Sequence, residues 1–430
     1  MAFLVITTCG SYGDLYPYIG LGRVLAGRGH RVRLAAPAYY RPLVEQAGLE
    51  HCAVGPDVDP DDRVFIARVM DPVHGPEVLV REWLMSRVEQ TYAELDAASR
   101  GADLLVSHPV TFAAPVLART RSLPWVSTVL APMSFFSVSD PPVLAGAPGL
   151  AWLRHLGPIY GRTVRWLADR ATRAWSDPLI QLRRTLGVDD RSNPLMEGQY
   201  SPMLTLAMFS SVLASPQPDW PARVVRTGFV FYNGADGLSS ELEAFLDAGD
   251  PPVVFTLRSS AVGAAGRFYA ESAAAVRQLG IRAVLLTGGI PENSEGPASP
   301  DILRIAHAPH QLLFPRASVV VHHGGVGTTG QGLRAGRPAL IVPHAHDQAD
   351  NALRLVRLGV ARCLPPARYT EGAVVGELRR LLGGKSYRVS AARVERVVRS
   401  EGGADAAALE IERCVNAAVA PAPVLSPDRS

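Results

Sequence analysis

The stretch His322-His323-Gly324-Gly325-Val326-Gly327-Thr328-Thr329 sets two imidazoles, three glycines and two hydroxyls behind a β-branched run, Ser318-Val319-Val320-Val321. Glycines let a backbone approach a ligand closely, and the first N–H groups of a helix point at an anion. A strand that ends in this loop and opens a helix is a phosphate cradle. One strand further on, after Pro338-Ala339-Leu340-Ile341-Val342-Pro343, come Asp347 and Gln348, a carboxylate and an amide suited to hydroxyl groups. At the front, Gly10-Ser11-Tyr12-Gly13-Asp14 follows another apolar run, Phe3 to Thr8. Asp14 then stands at the carboxyl edge of a sheet, where open α/β folds bind ligands, and a carboxylate there can take a proton. Its bland reading is an N-cap for the next helix, because Asp is a preferred cap. The residues alone leave both readings open.

The elements that must position these groups alternate. Phe3–Thr8 reads as a strand buried on both faces, Tyr18–Arg28 as a helix closed by Gly29, and Arg31–Ala36 as a strand, which together open a doubly wound domain. Tyr39–Ala47 is helical, and residues 55–76 form a long Asp- and Pro-rich loop with a helical piece at Arg63–Met70. Pro76–Ala98 is a longer amphipathic helix, and strands follow at Asp103–Ser107 and Trp125–Leu130 around a short helix at Val110–Thr120. Residues 152–187 carry Trp152, Trp166 and Trp175 among seven arginines. Such a stretch suits a membrane surface, but its apolar spacing favours surface helices whose tryptophans pack inward. Ala214–Pro221 holds three prolines in six residues and reads as a connector. The alternation restarts with strands at Val253–Leu257, Arg282–Thr287 and Ile302–Ile305, and helices fill about 371–382 and 386–417.

The expected architecture is therefore α/β. Residues 1–213 form one Rossmann-like domain, 214–235 a linker and 236–395 a second such domain. Residues 396–417 are a helix free to pack back on the first domain, and 418–430 a disordered tail.

Bulk composition narrows the class. A chain of 430 residues with 47% hydrophobic and 19% charged content is globular and holds two or three domains. A formal net charge of +3 is too small to indicate nucleic acid. Cys9, Cys52, Cys363 and Cys414 form no CxxC pair and read as reduced thiols of a cytoplasmic protein. The N-terminus lacks a basic region ahead of its apolar run, and no 18-residue apolar run would span a membrane. No cluster has metal-ligand spacing, and Asp57-Val58-Asp59 lies in the Pro-rich loop.

The motifs together resemble the UDP-glycosyltransferase superfamily, family 1 glycosyltransferases of GT-B fold. Ala308-Pro309-His310-Gln311, His323 to Thr329, Gly336-Arg337-Pro338, Pro343, and Asp347-Gln348 with Asn351 carry the second half of the resemblance. Gly10-Ser11-Tyr12-Gly13-Asp14 with Pro17 looks like the GSxGDxxP loop of the bacterial antibiotic, rhamnosyl and sterol branch. The resemblance covers nearly the whole chain and implies two Rossmann-like domains facing across a cleft.

It also implies roles. Asp14 would be the base for an acceptor hydroxyl. His323, Thr328 and the N–H groups at Gly325 to Thr329, Gly327 included, would hold the diphosphate, and Asp347 and Gln348 the sugar hydroxyls. Ala308 would offer its backbone to the nucleobase, His307 stands where relatives stack a Trp, and His310 where a Gln contacts ribose. Ser11 and Gly13 are assigned to the donor as well.

Two positions depart from the pattern. Gln331 replaces the ribose-binding Glu of UDP-specific relatives, which admits a dTDP donor. Arg258 replaces a glycine beside the donor phosphates, with Ser259 next to it; it either blocks the backbone or adds a guanidinium to the diphosphate. Acceptor contacts are expected from Tyr12, His74, Trp83, His108, Met133 and Phe135, whose aromatic character points to a lipophilic partner.

The expected activity is inverting, metal-independent transfer of a sugar from UDP or dTDP to a small hydrophobic acceptor. The nucleotide sugar is a co-substrate and no cofactor is involved, in a monomer or homodimer. A catalytically altered GT-B binding protein, which Arg258 keeps open, and a sugar-nucleotide 2-epimerase are the competing readings.

Overall fold

The computed structural model describes residues 1–57, 59, 62–234, 236–257 and 260–419. Arg258 and Ser259 lie outside the described residues, as does the tail from residue 420 onward. Among the described residues the strands are β1 (Phe3–Thr7), β2 (Arg31–Ala36), β3 (Glu50–Ala53), β4 (Leu104–Ser107), β5 (Trp125–Val129), β6 (Leu204–Ala207) and β7 (Val224–Arg226). They continue with β8 (Val253–Thr256), β9 (Ala283–Leu286), β10 (Ile302–Ile305), β11 (Val319–His322), β12 (Ala339–Ile341) and β13 (Ala361–Cys363). The helices that matter below are α1 (Tyr12–Gly27), α2 (Arg63–Val69), α3 (Pro158–Arg173), α4 (Val326–Arg334), α5 (Gln348–Arg357) and α6 (Gly403–Val419).

The strands make two wholly parallel sheets, ordered β3-β2-β1-β4-β5-β6-β7 and β10-β9-β8-β11-β12-β13. In each sheet the strand order reverses at one place, between β1 and β4 and between β8 and β11, and the crevice beyond such a switch point is where these folds bind ligands. The continuous apolar runs are explained by burial on both faces: Leu4, Val5, Ile6, Val319, Val320 and Val321 are inaccessible to solvent.

Several boundaries differ from the sequence expectation. β7 belongs to the first sheet, paired with β6 through Thr205–Val224, Leu206–Val225 and Ala207–Arg226. The prolines at 216–221 therefore lead into the last strand of the first domain, and the crossing to the second domain comes after it. The helix expected from 396 is broken: one helix ends at Ser400 and α6 begins at Gly403. Gly403 has φ of 51° and donates its N–H to Thr227 O at 2.7 Å, and a Cβ there would stand 2.7 Å from Phe229 O. Only glycine fits that turn. α6 then lies on α1, with Ala407, Ala408, Ile411 and Val415 in the same core as Leu15, Ile19, Leu21 and Leu25. α6 runs to Val419, so residues 418 and 419 are helical and not tail. Pro76–Ala98 is interrupted by a π-helical stretch at Val78–Leu84, and π turns favour functional sites.

A shared apolar cluster joins Val129, Phe209 and Leu213 of the first domain to Leu333, Ile341 and Leu355 of the second, and polar contacts flank it. α2 leaves the first domain and lays Ile66 and Met70 against the core of the second, with Arg63 paired to Glu292. On the other side, Asp140 bridges Arg154 of its own domain to Arg354 on α5 at 2.5 Å each, and Asp350 accepts from Arg354 Nε at 2.7 Å and from Val143 N at 3.0 Å. Asp350 is completely buried and Arg354 nearly so. Buried charges survive only when paired and hydrogen-bonded, so this network fixes the domains against each other where α5 begins.

Candidate active site

At the first switch point β1 delivers Thr8, Cys9 and Gly10, and α1 starts immediately after. Ser11 caps the helix: its Oγ accepts from Gly13 N, while Asp14 Oδ2 accepts from Ser11 N at 2.8 Å and from Ser11 Oγ at 3.0 Å. Asp14 is therefore not the N-cap itself but the reciprocal partner of Ser11 in the first turn of α1. It is also more than that, because β4 places His108 Nε2 3.5 Å from Asp14 Oδ1. A Cβ on Gly10 would stand 2.5 Å from the Asp14 carboxylate, so glycine keeps that approach open. His108 is buried and its ring meets Tyr18 edge-on at 5.7 Å. Burial pushes the Asp14 carboxyl up, but hydrogen bonds and charge from His108, with the Ser11 bonds, outweigh it and hold Asp14 below the usual carboxylate value. Asp14 is an anion at neutral pH, with part of its surface open to the cleft. His108, read from sequence as an acceptor contact, is first of all the partner of Asp14.

At the second switch point β11 ends in His322, whose Nδ1 accepts from Gly324 N at 3.1 Å and whose burial holds the imidazole down at about 3. It is a neutral structural group. Gly324 has φ of 93°, and a Cβ on it would clash with Ile341 at 2.8 Å. A Cβ on Gly325 would stand 2.5 Å from His323 Nε2, so the His323 ring folds directly over the loop. Gly325 caps α4, and Thr328 is buried in its first turn. A Cβ on Gly327 would meet nothing within 4 Å, so protein packing does not demand glycine there. Gln331 lies one turn on, half-buried, with Oε1 shielded and unbonded among the described residues.

The next loop is bound to this one through Asn351. Its Nδ2 donates to Gly324 O at 2.9 Å and to Asp347 Oδ2 at 2.7 Å. Gln348 Oε1 accepts from His344 N at 2.8 Å and Ala345 N at 3.1 Å, which fixes the side chain and leaves its NH2 as the free end. Burial raises the Asp347 carboxyl to about 7, Asn351 opposes this, and the charge of Asp14 adds to it. The carboxylates of the two domains thus sense one another across the cleft. His346, which sequence reasoning passed over, has φ of 54°, an uncommon conformation for a residue with a Cβ. Burial lowers its imidazole, while Asp14 and the Val69 carbonyl pull the other way, so its ring faces the first domain.

Other expected contacts are dispersed. Ala308 is buried behind β10, and His307 is exposed beside it. His310 is 4% exposed and stacks on Phe314 at 4.2 Å. Phe135 is core, stacked on Trp220 at 4.2 Å and 3% exposed, so it is no acceptor wall. His74 is exposed and held by Asp71, Trp83 leans on Phe65 from the π-helical stretch, and Met133 sits half-buried on the turn before Phe135. Tyr12 belongs to an aromatic group with Tyr16, Tyr39 and Tyr40, its hydroxyl 3.0 Å from that of Tyr39. A small hollow of about 20 Å³, room for one water, lies beside the first switch point, lined by Cys9, Val54, Leu84, Val88, Val110 and Phe112 among others. The Cys9 thiol is pushed up to about 12 by burial and by the Asp14 charge, so it is a wall and not a nucleophile. These wall residues come from strand ends and distant helices, and no local motif marks them.

Two facing Rossmann-like domains, each with its site at a switch point, define the GT-B class of glycosyltransferases. Residues 4–117 match the glycosyltransferase family 28 N-terminal domain, and residues 286–413 match the erythromycin biosynthesis protein CIII-like C-terminal domain. The chain is 34% identical to the O-mycaminosyltylonolide 6-deoxyallosyltransferase of Streptomyces fradiae, over 95% of this chain and 96% of the relative. It is 29% identical to the vancomycin aglycone glucosyltransferase of Amycolatopsis orientalis, over 83% of this chain and 84% of the relative. Among solved structures, the calicheamicin glycosyltransferase CalG4 superimposes with a TM-score of 0.70 at 20% identity, covering 98% of this chain and 100% of the other. Spinosyn rhamnosyltransferase SpnG complexed with thymidine diphosphate gives 0.65 at 20% identity, covering 96% of this chain and all of SpnG. These structural likenesses show the fold. The chain belongs to the glycosyltransferase family that includes the 6-deoxyallosyltransferase and the antibiotic glucosyltransferase, and it is a glycosyltransferase. Among the described residues, no helix is long and apolar enough to cross a membrane.

Proposed function

We propose that the chain transfers a sugar, with inversion, from a thymidine or uridine diphosphate sugar to a hydroxyl of a small hydrophobic natural product. The observation that carries this reading is the pairing of Asp14 with His108 opposite the Asp347–Gln348 loop. The acceptor hydroxyl attacks the anomeric carbon. The bond from that carbon to the phosphate oxygen breaks, the proton passes to Asp14, and the nucleoside diphosphate leaves with the bonding pair. His108 holds Asp14 ionised and oriented. Charge growing on the diphosphate is met by the N–H groups opening α4 and by His323. Gln348, fixed by the His344 and Ala345 N–H groups, and Asp347, fixed by Asn351, hold sugar hydroxyls.

Thymine is the first candidate base. The spinosyn rhamnosyltransferase structure contains thymidine diphosphate, and Gln331 stands where a ribose-binding carboxylate would otherwise be. Transfer without a metal fits a site whose charge is handled by backbone N–H groups and imidazole.

Thermal-shift measurements with dTDP and UDP test the donor half. Stabilisation by one or both is expected, and no shift with any nucleoside diphosphate would overturn the reading.

A further inference from the structure

Residues 152–187 were expected to fold their three tryptophans inward, and Trp152 and Trp166 do not. Trp152 is 67% exposed, Ile159 68% and Trp166 60%, with Leu150, Leu156 and Leu167 exposed beside them. Trp175 does pack against the core. On α3 the outward face is read by spacing: Ile159, Arg162, Trp166 and Arg170 follow one another at three or four residues and share one side. The opposite side, Tyr160, Gly161 and Val164, is buried. Rotation of the helix cannot hide the apolar groups. A Cβ on Gly161 would stand only 2.0 Å from Val138 O, so the helix is pressed on that carbonyl in one orientation.

Between 148 and 173 the chain has five arginines, Arg154, Arg162, Arg165, Arg170 and Arg173, and one acid, Asp169. Arg154 turns inward to Asp140, Arg165 pairs with Glu197, and Asp169 is used by Arg173. Arg162 and Arg170 have no acidic partner among the described residues, and they interleave with Ile159 and Trp166. Large apolar patches on a soluble surface mark interaction sites. A second copy of the chain fits poorly here, because a twofold contact would set these arginines against themselves. Tryptophan and leucine among arginines suit the boundary of an anionic bilayer, where indoles sit at headgroup depth and guanidinium groups meet phosphates.

We propose that residues 148–173 dock the enzyme on an anionic phospholipid surface, with Trp152, Ile159 and Trp166 inserted at the boundary and Arg162 and Arg170 on the headgroups. The same short stretch reaches the donor side from within. Arg154, two residues from Trp152, bonds Asp140, which bonds Arg354 on the helix opened by Gln348. A hydrophobic acceptor would be met at the surface into which it partitions. Docking itself does not depend on the proposed transfer reaction, so it can fail or hold separately.

The test is co-sedimentation of the full chain with vesicles of phosphatidylcholine alone and of phosphatidylcholine with about one-third phosphatidylglycerol. Binding is expected to the anionic vesicles only, and to weaken as salt rises from about 0.05 to about 0.5 M. The double variant Trp152→Ser/Trp166→Ser and, separately, Arg162→Gln/Arg170→Gln are each expected to weaken it at least about tenfold with an unchanged melting temperature. No sedimentation with anionic vesicles, or equal sedimentation of the variants, would overturn the proposal. A dimer that Trp152→Ser/Trp166→Ser converts to monomer, without vesicle binding, would make the patch a self-interface and equally overturn it.

Discussion

The side-chain amide of Asn351 donates to the carbonyl oxygen of Gly324 across 2.9 Å, and the same nitrogen holds Asp347 Oδ2 at 2.7 Å. One buried amide therefore sets the spacing between the diphosphate loop and the sugar loop. Asn351→Leu leaves the Gly324 carbonyl with only the longer bond from Thr329 Oγ1 at 3.3 Å and Asp347 without its amide donor, and is expected to cost about 1–3 kcal/mol of stability. It is also expected to weaken nucleotide binding, which urea unfolding and calorimetric titration with dTDP would read together. A variant that unfolds earlier but binds nucleotide as before would separate the amide from the site.

Asp347 makes stability depend on pH with a definite sign. Its carboxyl is raised by burial to about 7, so the folded state keeps a proton that the unfolded chain releases nearer its ordinary value. The contribution of Asp347 to stability is thus full below the unfolded value and falls as pH rises from about 4 to about 7, levelling above. Asp347→Asn removes that slope. The variant is expected to melt above the wild type at about pH 8, by on the order of 1 kcal/mol, with the difference closing toward about pH 4. Its sugar transfer is expected to fall. An identical pH slope in the two proteins would contradict the assignment.

His108 is expected to act through Asp14. In His108→Gln the partner that lowers the Asp14 carboxyl is weakened, so Asp14 rises and the acid limb of the kcat/KM profile moves to higher pH. A loss of about 10–100-fold in kcat/KM at neutral pH is expected, with dTDP affinity unchanged. A merely structural role would lower the rate without moving the limb.

The interdomain network is a matter of stability. Arg354→Met leaves Asp350, fully buried, without its nearest cation, and a loss of about 3 kcal/mol is expected in denaturant unfolding. Arg354→Met with Asp350→Asn should recover part of that loss, since the uncompensated charge is then gone.

Much of this arrangement was readable because it is local. Glycines at strand ends, a carboxylate at a helix start and the His323-to-Gln348 block all follow from short runs, and each lies at a switch point of its sheet. What escaped was long-range or too short to signal. β7 has three residues and sits beside prolines, so it read as part of a linker. The Asp14–His108 pair joins segments far apart in the chain and made by neighbouring strands, a relation that spacing cannot reveal. Phe135 and His310 have types suited to ligands, yet Trp220 and Phe314 take up their ring faces. Trp152 and Trp166 lie at helical spacing that looked like core, and the contact of Gly161 on Val138 turned that face outward.

The central claim is that Asp14 takes the acceptor proton. Asn in its place can still accept from Ser11 N, so the cap survives while the base is lost. The decisive measurement is single-turnover sugar transfer by Asp14→Asn alongside its dTDP affinity. Transfer lower by about 100-fold or more with donor binding intact is the expected result. Transfer at the wild-type rate would contradict it.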